Sequence, residues 1–328
     1  MAVRLSRAAA ALLDTSVLQE SEESDQVDWT CAFVNNMPDG AFDATERQFL
    51  DLLETGSGPE VIDVRRYALS GVPRGERVAA RIATDYLPVE TMLQDRPDLL
   101  IVTGSNPVEE RIEDEPYWAD LSDLLTWGSE HVQSMLLSCL SAHAALTVFD
   151  GIARERLTSK CAGVFPQEVD AAHPLGAGLE PRITLPHSRT STVAEEHLRG
   201  AGYRIVVRDD AVGWAVATRQ VGMAQVVLVQ GHPEYDPSSL LREYHRDVRR
   251  YAQRERDELP VLPLHCVGPE DWGELQHLHE AVIGGKRDPE LVAAYPFDEV
   301  GARAPWSWHG VAQRLYANWV SGFSKRSD

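Results

Sequence analysis

Three side chains in this sequence could act together as a nucleophile and its base: Cys139, His232 and Glu234. A cysteine thiol is mostly protonated near neutral pH, and it needs a base or a positive neighbour to become the reactive thiolate. A histidine can supply that base, while a carboxylate can orient the imidazole and support its protonated form. His232 and Glu234 are two positions apart, so on an extended chain their side chains point the same way.

The surroundings of Cys139 favour a reactive thiol. A lone cysteine among apolar residues is more often an inert core residue, and an isolated His-x-Glu pair is more often a loop histidine beside a surface carboxylate. Cys139, however, follows the apolar run 135–138 and precedes an alanine-rich run from Ala142, which is typical of a strand turning into a helix. A side chain at such a turn stands beside free backbone N–H groups that stabilise a thiolate or an oxyanion. The sequence therefore predicts a Cys-His-Glu triad.

Apolar runs and helical periodicity alternate along the chain and predict the elements that carry these residues. Predicted strands cover residues 31–34, 61–64, 99–102, 135–138, 163–165, 203–207, 213–217 and 223–229. Predicted helices cover residues 45–56, 87–94, 117–127, 142–146, 240–251 and 309–322. This alternation predicts an α/β fold with a mostly parallel sheet flanked by helices. In such sheets ligands bind at the carboxyl ends of strands, where Gly104, Cys139 and His232 fall.

The simplest organisation is one α/β domain with a segment before it and an extension after it. Residues 1–28 are expected to form an N-terminal arm, a short helix followed by an acidic segment. Residues 29–255 are expected to form the main domain, and the Pro- and Trp-rich residues 256–328 a C-terminal extension packed on it. The apolar run 8–13 is short for a signal peptide, and no run approaches the length of a transmembrane helix, so we expect a cytoplasmic protein.

Composition limits the partners. The chain has 328 residues, with 31 Lys and Arg against 51 Asp and Glu and a formal net charge of −20 at pH 7. This negative charge argues against nucleic acid and against an anionic membrane, and it favours small-molecule partners. Cys31, Cys139, Cys161 and Cys266 show neither CxxC spacing nor a paired pattern. We therefore expect no metal site and no disulfide framework, and a reducing compartment.

A set of ordered short motifs from about residue 29 to 320 resembles one enzyme family. The motifs include Asn36-Met-Pro38, Thr103-Gly104, Lys160 with Gly163-Val-Phe165, Pro186-His-Ser-Arg189, Gly231-His-Pro-Glu-Tyr-Asp236, Glu243-Tyr-His-Arg-Asp247 and Asn318-Trp319. In this order they resemble the homoserine O-acyltransferases of methionine biosynthesis, which carry succinyl or acetyl groups. That branch is built on the class I glutamine-amidotransferase fold, so the resemblance implies the same layered α/β architecture here.

The resemblance implies a ping-pong reaction. Cys139 would take an acyl group from succinyl-CoA or acetyl-CoA as a thioester and pass it to the hydroxyl of L-homoserine or a related hydroxy-amino acid. His232 would be the general base, and Glu234 would orient it. The oxyanion hole would use the backbone N–H of Leu140 and one from the loop after Met37. Acyl-CoA would be a co-substrate, with no permanently bound cofactor.

Further positions match substrate-binding residues of the same family. Arg246 matches the arginine that holds the acceptor's carboxylate, a task suited to a guanidinium fork. Lys160 and Ser188 match two other site positions. From the residues alone, a solvated basic helix face, a surface lysine and a polar loop would explain these three equally well. A homodimer is also expected from the family.

The sequence departs from the family pattern around the nucleophile. Leu140 and His143 stand where the family usually has tryptophan and glutamine. The loop 39–42 lacks the family's lysines, and Val108 occupies the position that separates succinyl from acetyl enzymes. The acyl group and the acceptor therefore stay open. The alternatives are a glutaminase or hydrolase that uses the same triad, and a degenerate homologue without catalytic activity.

Overall fold

The computed structural model describes residues 2–5 and 27–322, whose elements alternate between strands and helices. The strands are β1 (Ala2–Leu5), β2 (Trp29–Val34), β3 (Val61–Ala68), β4 (Leu87–Pro88), β5 (Leu99–Val102), β6 (Ser134–Ser138), β7 (Glu155–Val169), β8 (Arg182–Thr192), β9 (Arg204–Asp209), β10 (Gly213–Val221) and β11 (Ala224–Val229). The α-helices are α1 (Phe42–Gly56), α2 (Glu76–Asp85), α3 (Val89–Asp95), α4 (Trp118–His131), α5 (Leu140–Asp150), α6 (Glu195–Gly200), α7 (Ser239–Ala252), α8 (Pro269–Ile283), α9 (Pro289–Ala293), α10 (Phe297–Ala302) and α11 (His309–Ser321).

All these strands belong to one mixed sheet in the order β1-β3-β2-β5-β6-β11-β10-β9-β7-β8, with β4 paired to β3. Pairing is parallel from β1 through to β11 and antiparallel from β11 to β8. The central strands β5 and β6 are buried along their whole length, as expected for parallel strands covered by helices on both faces. The prediction of an α/β fold with a mostly parallel, helix-flanked sheet is confirmed.

The last helix, α11, packs on the same sheet that carries the site. Trp319 donates a 2.9 Å hydrogen bond through Nε1 to Ser134 Oγ at the start of β6. Gly56 at the end of α1 lies so close to α11 that a Cβ there would be 2.9 Å from Tyr316 Cβ. A glycine is therefore required at this crossing for the two helices to reach each other.

The prediction did not include the helices α2, α6, α8, α9 and α10 or the strand β4, and two further regions also differ from it. The chain start was predicted as a helix, but Ala2–Leu5 forms an edge strand parallel to β3. Four residues carry too little periodicity to separate helix from strand, and buried Val3 gains contacts at the sheet edge. The rest of the predicted arm, residues 6–26, lies outside the described residues. The strand β8 was missed because it contains Pro186, which a strand tolerates at the edge of a sheet.

Candidate active site

Cys139 occupies a sharp turn between β6 and α5, as predicted. Its backbone has φ 49° and ψ −105°, a region that non-glycine residues rarely adopt. The turn is held from two sides: Cys139 N donates to Val229 O at 2.7 Å, and Cys139 O accepts from Ala142 N and His143 N at 3.1 and 3.2 Å. The half-buried thiol is thus presented at the carboxyl edge of the sheet, at the N-terminus of a helix.

His232 and Glu234 follow the end of the neighbouring strand β11 and form a buried pair. His232 Nδ1 and Glu234 Oε1 are 2.8 Å apart, and the two residues are 6% and 5% exposed. The backbone of His232 is fixed by a 2.8 Å hydrogen bond from its N–H to Pro186 O on β8. Its ring stacks on Tyr235, with centroids 4.3 Å apart and an interplanar angle of 20°. The orientation of the imidazole is therefore determined by three separate contacts.

The charges around His232 favour its protonated form. Burial alone lowers the pKa of His232, but Glu234 and then Cys139 outweigh burial and raise this pKa well above its usual value. The thiol of Cys139 is thus close enough to interact with the imidazole. Among the described residues, Nε2 of His232 has no hydrogen bond of ordinary geometry. This nitrogen is therefore available to the thiol and to a substrate proton.

A backbone donor and an open space lie beside the thiol. Leu140 is the first residue of α5, so its N–H is one of the helix N-terminal donors without an intrahelical acceptor. A Cβ at Gly104 would be 3.3 Å from Cys139 Cβ and 3.5 Å from Leu140 N. The absence of a side chain at Gly104 therefore leaves the approach to both atoms open. In the other predicted loop, Met37 N donates to Asn35 Oδ1 at 3.1 Å, so this particular N–H is already engaged.

The three predicted substrate-binding residues converge on two carboxylates of α7. Lys160 Nζ lies 3.1 Å from Glu243 Oε2 and 3.3 Å from Asp247 Oδ2. Ser188 Oγ also donates to Glu243 Oε2. Arg246 Nη2 is 3.0 Å from Asp247 Oδ1. We call these five residues, Lys160, Ser188, Glu243, Arg246 and Asp247, the Glu243 cluster. Lys160 and Ser188 lie on β7 and β8, so the cluster joins the antiparallel hairpin to α7.

Glu243 and Tyr235, like Asp247, are members of the site that sequence reasoning missed. Burial raises the pKa of Glu243, but Lys160 and the hydroxyl donors Ser188 and Tyr235 lower this pKa to about 2, so the carboxylate is ionised. Tyr235 donates to Glu243 Oε1 at 2.5 Å while its ring stacks on His232. Tyr235 therefore links the triad to the Glu243 cluster. Both residues stand inside the sequence motifs quoted above, but nothing in their local sequence indicated a role.

The residues that depart from the family pattern occupy different environments. His143 is buried against Trp214 and lies 2.9 Å through Nε2 from Gln230 Oε1. Burial is the main reason that its pKa falls to about 4. Leu140 is buried at 4% exposure, whereas Val108 is 81% exposed. Leu140 and His143 therefore alter the buried core next to Cys139. Val108, by contrast, faces solvent.

The described residues contain neither a cluster of metal ligands nor a helix that could span a membrane. Across residues 2–5 and 27–322, no group of three His, Cys, Asp or Glu side chains is arranged to hold a metal ion. Within the same residues, no helix is both long and apolar enough to cross a membrane.

The fold and the site together define a class: an α/β protein that presents a cysteine at a strand-to-helix turn beside a buried His-Glu pair. Comparison with known proteins then gives the family. The family model for homoserine O-succinyltransferase matches residues 7–326. The chain belongs to this family of acyltransferases, and the resemblance stated from its motifs is confirmed.

Two relatives in sequence agree with the family match. The homoserine O-succinyltransferase of Rhodopseudomonas palustris is 36% identical over 287 residues, which cover 88% of this chain and 86% of the relative. That of Methylorubrum extorquens is 37% identical over 293 residues, covering 89% of this chain and 86% of the relative. A solved glutamine amidotransferase from Thermotoga maritima is 12% identical with a TM-score of 0.44, covering 82% of this chain and 100% of that one.

Proposed function

We propose that the protein transfers an acyl group from a CoA thioester to the hydroxyl of L-homoserine or a related hydroxy-amino acid. The observation that carries the proposal is the position of Cys139 at a strand-to-helix turn, next to the buried His232–Glu234 pair. Membership of the homoserine O-succinyltransferase family supports the choice of reaction and makes succinyl the first acyl group to test.

In the first half-reaction, Cys139 Sγ attacks the thioester carbonyl of acyl-CoA. The Sγ–carbon bond forms, the bond from that carbon to the CoA sulfur breaks, and the proton held by His232 passes to the leaving CoA thiolate. The negative charge on the carbonyl oxygen would be met by the N–H of Leu140 at the start of α5. The products are free CoA and an acyl thioester on Cys139.

In the second half-reaction, the acceptor hydroxyl attacks the thioester. His232 Nε2 takes the hydroxyl proton, the new carbon–oxygen bond forms, and the bond to Cys139 Sγ breaks. Glu234 stabilises the imidazolium through its 2.8 Å contact with Nδ1. The thiolate–imidazolium pair is then restored for the next turnover, and the acceptor leaves as its O-acyl ester.

The Glu243 cluster is the proposed site for the amino-acid end of the acceptor. A hydroxy-amino acid carries one ammonium and one carboxylate, which match the anionic and cationic members of the cluster. Arg246 is 40% exposed at its side chain and can receive the carboxylate. Glu243, which Tyr235 connects to the triad, can receive the ammonium. The cluster thus has the charges to hold the acceptor beside His232.

The test is the covalent intermediate itself. The whole protein is incubated with succinyl-CoA or acetyl-CoA without acceptor, and the adduct is located by peptide mass spectrometry. We expect an acyl adduct on Cys139 that disappears when L-homoserine is added. Cys139→Ser and Cys139→Ala should carry no thioester and no acyl-transfer activity, with their thermal unfolding unchanged. A lack of any adduct on Cys139 with both donors would refute the proposal.

The alternatives give different outcomes. Ammonia release from glutamine would favour a glutaminase, and the absence of both reactions would favour a homologue without catalytic activity. Release of CoA across a panel of acyl donors and hydroxy-amino acids would identify the substrate pair. Val108, at the position that separates succinyl from acetyl enzymes in the family, does not indicate the acyl group. A cytoplasmic location and a homodimer stay predictions, to be tested by fractionation and by light scattering.

A further inference from the structure

Asp247 is a buried carboxylate that three cations share. It lies on α7, is 7% exposed, and is one of the two anionic members of the Glu243 cluster. Its Oδ2 lies 3.3 Å from Lys160 Nζ. Its Oδ1 accepts from Arg246 Nε at 3.1 Å and lies 3.4 Å from Nη1 of Arg256. Two guanidiniums therefore converge on one carboxylate oxygen, one from the same helix and one from the segment that follows it.

Arg256 is held in place by contacts outside the Glu243 cluster. It stands between α7 and α8, and its backbone carbonyl accepts a 2.6 Å hydrogen bond from Arg287 Nη2. Arg287 in turn donates through Nε to Tyr251 O at 3.0 Å, and its guanidinium lies over the Tyr251 ring, 3.9 Å from the centroid. The remaining terminal nitrogen of Arg256, Nη2, is paired with Glu258. The position of Arg256 beside Asp247 therefore does not depend on Arg246.

The contacts of Arg246 limit its use as a carboxylate receptor. Both its Nε and its Nη2 are directed at Asp247 Oδ1, at 3.1 and 3.0 Å. Burial lowers the pKa of Arg246, but Asp247 and then Glu243 outweigh burial and raise this pKa. To receive the carboxylate of the acceptor, the guanidinium must give up part of this pairing. A buried carboxylate that loses its cation is costly, so the exchange requires another partner for Asp247.

The charges of the Glu243 cluster lead to the same requirement. Its two cations, Lys160 and Arg246, are balanced by its two carboxylates, so the cluster alone has no positive charge in excess. Arg256 adds one positive charge on the side of Asp247. The other partner of Arg256, Glu258, has a side chain that is 58% exposed, where water screens the charge. With Arg256 present, the side of the cluster that contains Arg246 can accept one more negative charge.

We propose that Arg256 is the replacement partner of Asp247, a positioning residue that keeps this carboxylate paired and thereby releases Arg246 for the carboxylate of the acceptor. The inference rests on the acceptor site of the proposed function. It specifies the acceptor as an amino acid with a free carboxylate, rather than an amino alcohol or an amide. Arg256 acts through Asp247 and Arg246, and this role does not require contact with the acceptor.

The experiment measures binding of the acceptor without acyl-CoA. L-Homoserine is titrated into the full chain, and its Kd is determined by isothermal titration calorimetry. We expect Arg256→Gln, which removes the charge, to raise this Kd about tenfold. Arg256→Lys, which keeps the charge, should give a Kd within about threefold of the wild-type value. Arg250→Gln is the matched control, because Arg250 lies on α7 and pairs with the exposed Glu255 rather than with the cluster.

Two further measurements separate this role from a structural one. L-Homoserinol, in which an alcohol replaces the carboxylate, should bind wild type and Arg256→Gln with Kd values within about twofold of each other. A variant with both Arg246→Gln and Arg256→Gln should bind L-homoserine no more weakly than Arg246→Gln alone.

Several outcomes would overturn the proposal. These are an unchanged Kd in Arg256→Gln, an equal loss of affinity for L-homoserinol, additive losses in the double variant, and a wild-type protein that binds no L-homoserine. Additive losses would mean that Arg256 contacts the acceptor directly. Because binding is measured without acyl-CoA, failure of the acyl-adduct experiment would be a separate result.

Discussion

The two halves of the candidate site differ in how their polar atoms are satisfied. In the triad, His232 Nε2 and Glu234 Oε2 are buried without a hydrogen-bond partner among the described residues. In the Glu243 cluster, by contrast, both carboxylates are surrounded by donors: Glu243 by Lys160, Ser188 and Tyr235, and Asp247 by Lys160, Arg246 and Arg256. The triad therefore keeps buried atoms that can still form hydrogen bonds, whereas the carboxylates of the Glu243 cluster are already bonded to neighbouring side chains.

This difference indicates two ways of using binding energy. The unpartnered atoms of the triad are held in a fixed geometry, so they can bond to charges and protons that develop during the reaction. The triad should therefore stabilise mainly the transition state. The Glu243 cluster must exchange internal partners for those of an incoming acceptor. Changes there should alter mainly the binding of the acceptor. Variants in the triad should therefore lower kcat, and variants in the cluster should raise KM.

The largest effect is expected from removal of the base. His232→Asn should lower kcat/KM by about 10³-fold, because general acid–base catalysis is lost while the side chain remains polar. Glu234→Gln should also lower kcat/KM, because the amide carries no charge to stabilise the imidazolium and can hold the imidazole in the wrong tautomer. Steady-state rates of CoA release check both variants. A His232→Asn enzyme that kept a tenth of its activity would remove His232 from the mechanism.

The open space beside Cys139, which exists because Gly104 has no side chain, should also affect kcat. Gly104→Ala would place a Cβ 3.3 Å from Cys139 Cβ and 3.5 Å from Leu140 N, where it crowds the approach to the oxyanion donor. Loss of one such donor costs about 10²-fold in kcat, and we expect a comparable decrease. Gly273→Ala, in α8, is the matched control, because nothing lies within 4 Å of a Cβ there. Equal activity of the two variants would contradict an oxyanion site beside Leu140.

Sequence patterns predicted the central parallel strands and the positions of Cys139 and His232 at their ends for the same physical reason. β5 is the continuous apolar run LLIV, and such a run is required where both faces of a strand are covered by helices. Cys139 directly follows β6, His232 comes three residues after the end of β11, and the carboxyl ends of these parallel strands meet at one edge. The local sequence was therefore enough to predict both the strand and the position of the functional residue near its end.

The rest of the site depends on contacts between distant segments. Lys160 and Glu243 are 83 residues apart in sequence, and their contact requires the hairpin of β7 and β8 to lie over α7. β8 is a polar edge strand with a proline, so periodicity did not predict it. No local pattern encodes a partner that far along the chain.

A moderate effect on binding is expected in the Glu243 cluster. Glu243→Gln removes a charge that Lys160, Ser188 and Tyr235 surround, so the acceptor's ammonium would lose its anionic partner. We expect the KM for the acceptor to rise about tenfold, with kcat changed by less than about threefold. Initial rates against acceptor concentration at saturating acyl-CoA measure the two terms. Glu196→Gln, at an exposed position, is the control, and a decrease confined to kcat would contradict the division of roles between the halves.

The smallest effect on activity is expected outside both halves, at His143. Its side chain bonds Gln230 in the core, and the family usually has glutamine there, so His143→Gln should keep activity within about twofold. Stability should change with pH, however. The unfolded chain binds a proton at this residue below its ordinary pKa of 6.5, whereas the folded protein binds it only near pH 4. Falling pH between these values therefore favours unfolding.

For this single group the loss amounts to about 3 kcal/mol of unfolding free energy, accumulated between pH 6.5 and 4. Urea unfolding of wild type and His143→Gln across this range measures it, because all other titrating groups, including buried His187, contribute equally to both proteins. The difference in stability should grow steadily in favour of the variant as the pH falls, and level off below pH 4. A constant difference across the range would mean that His143 is protonated in the folded core. In that case Gln230 Oε1, rather than burial, would determine its charge.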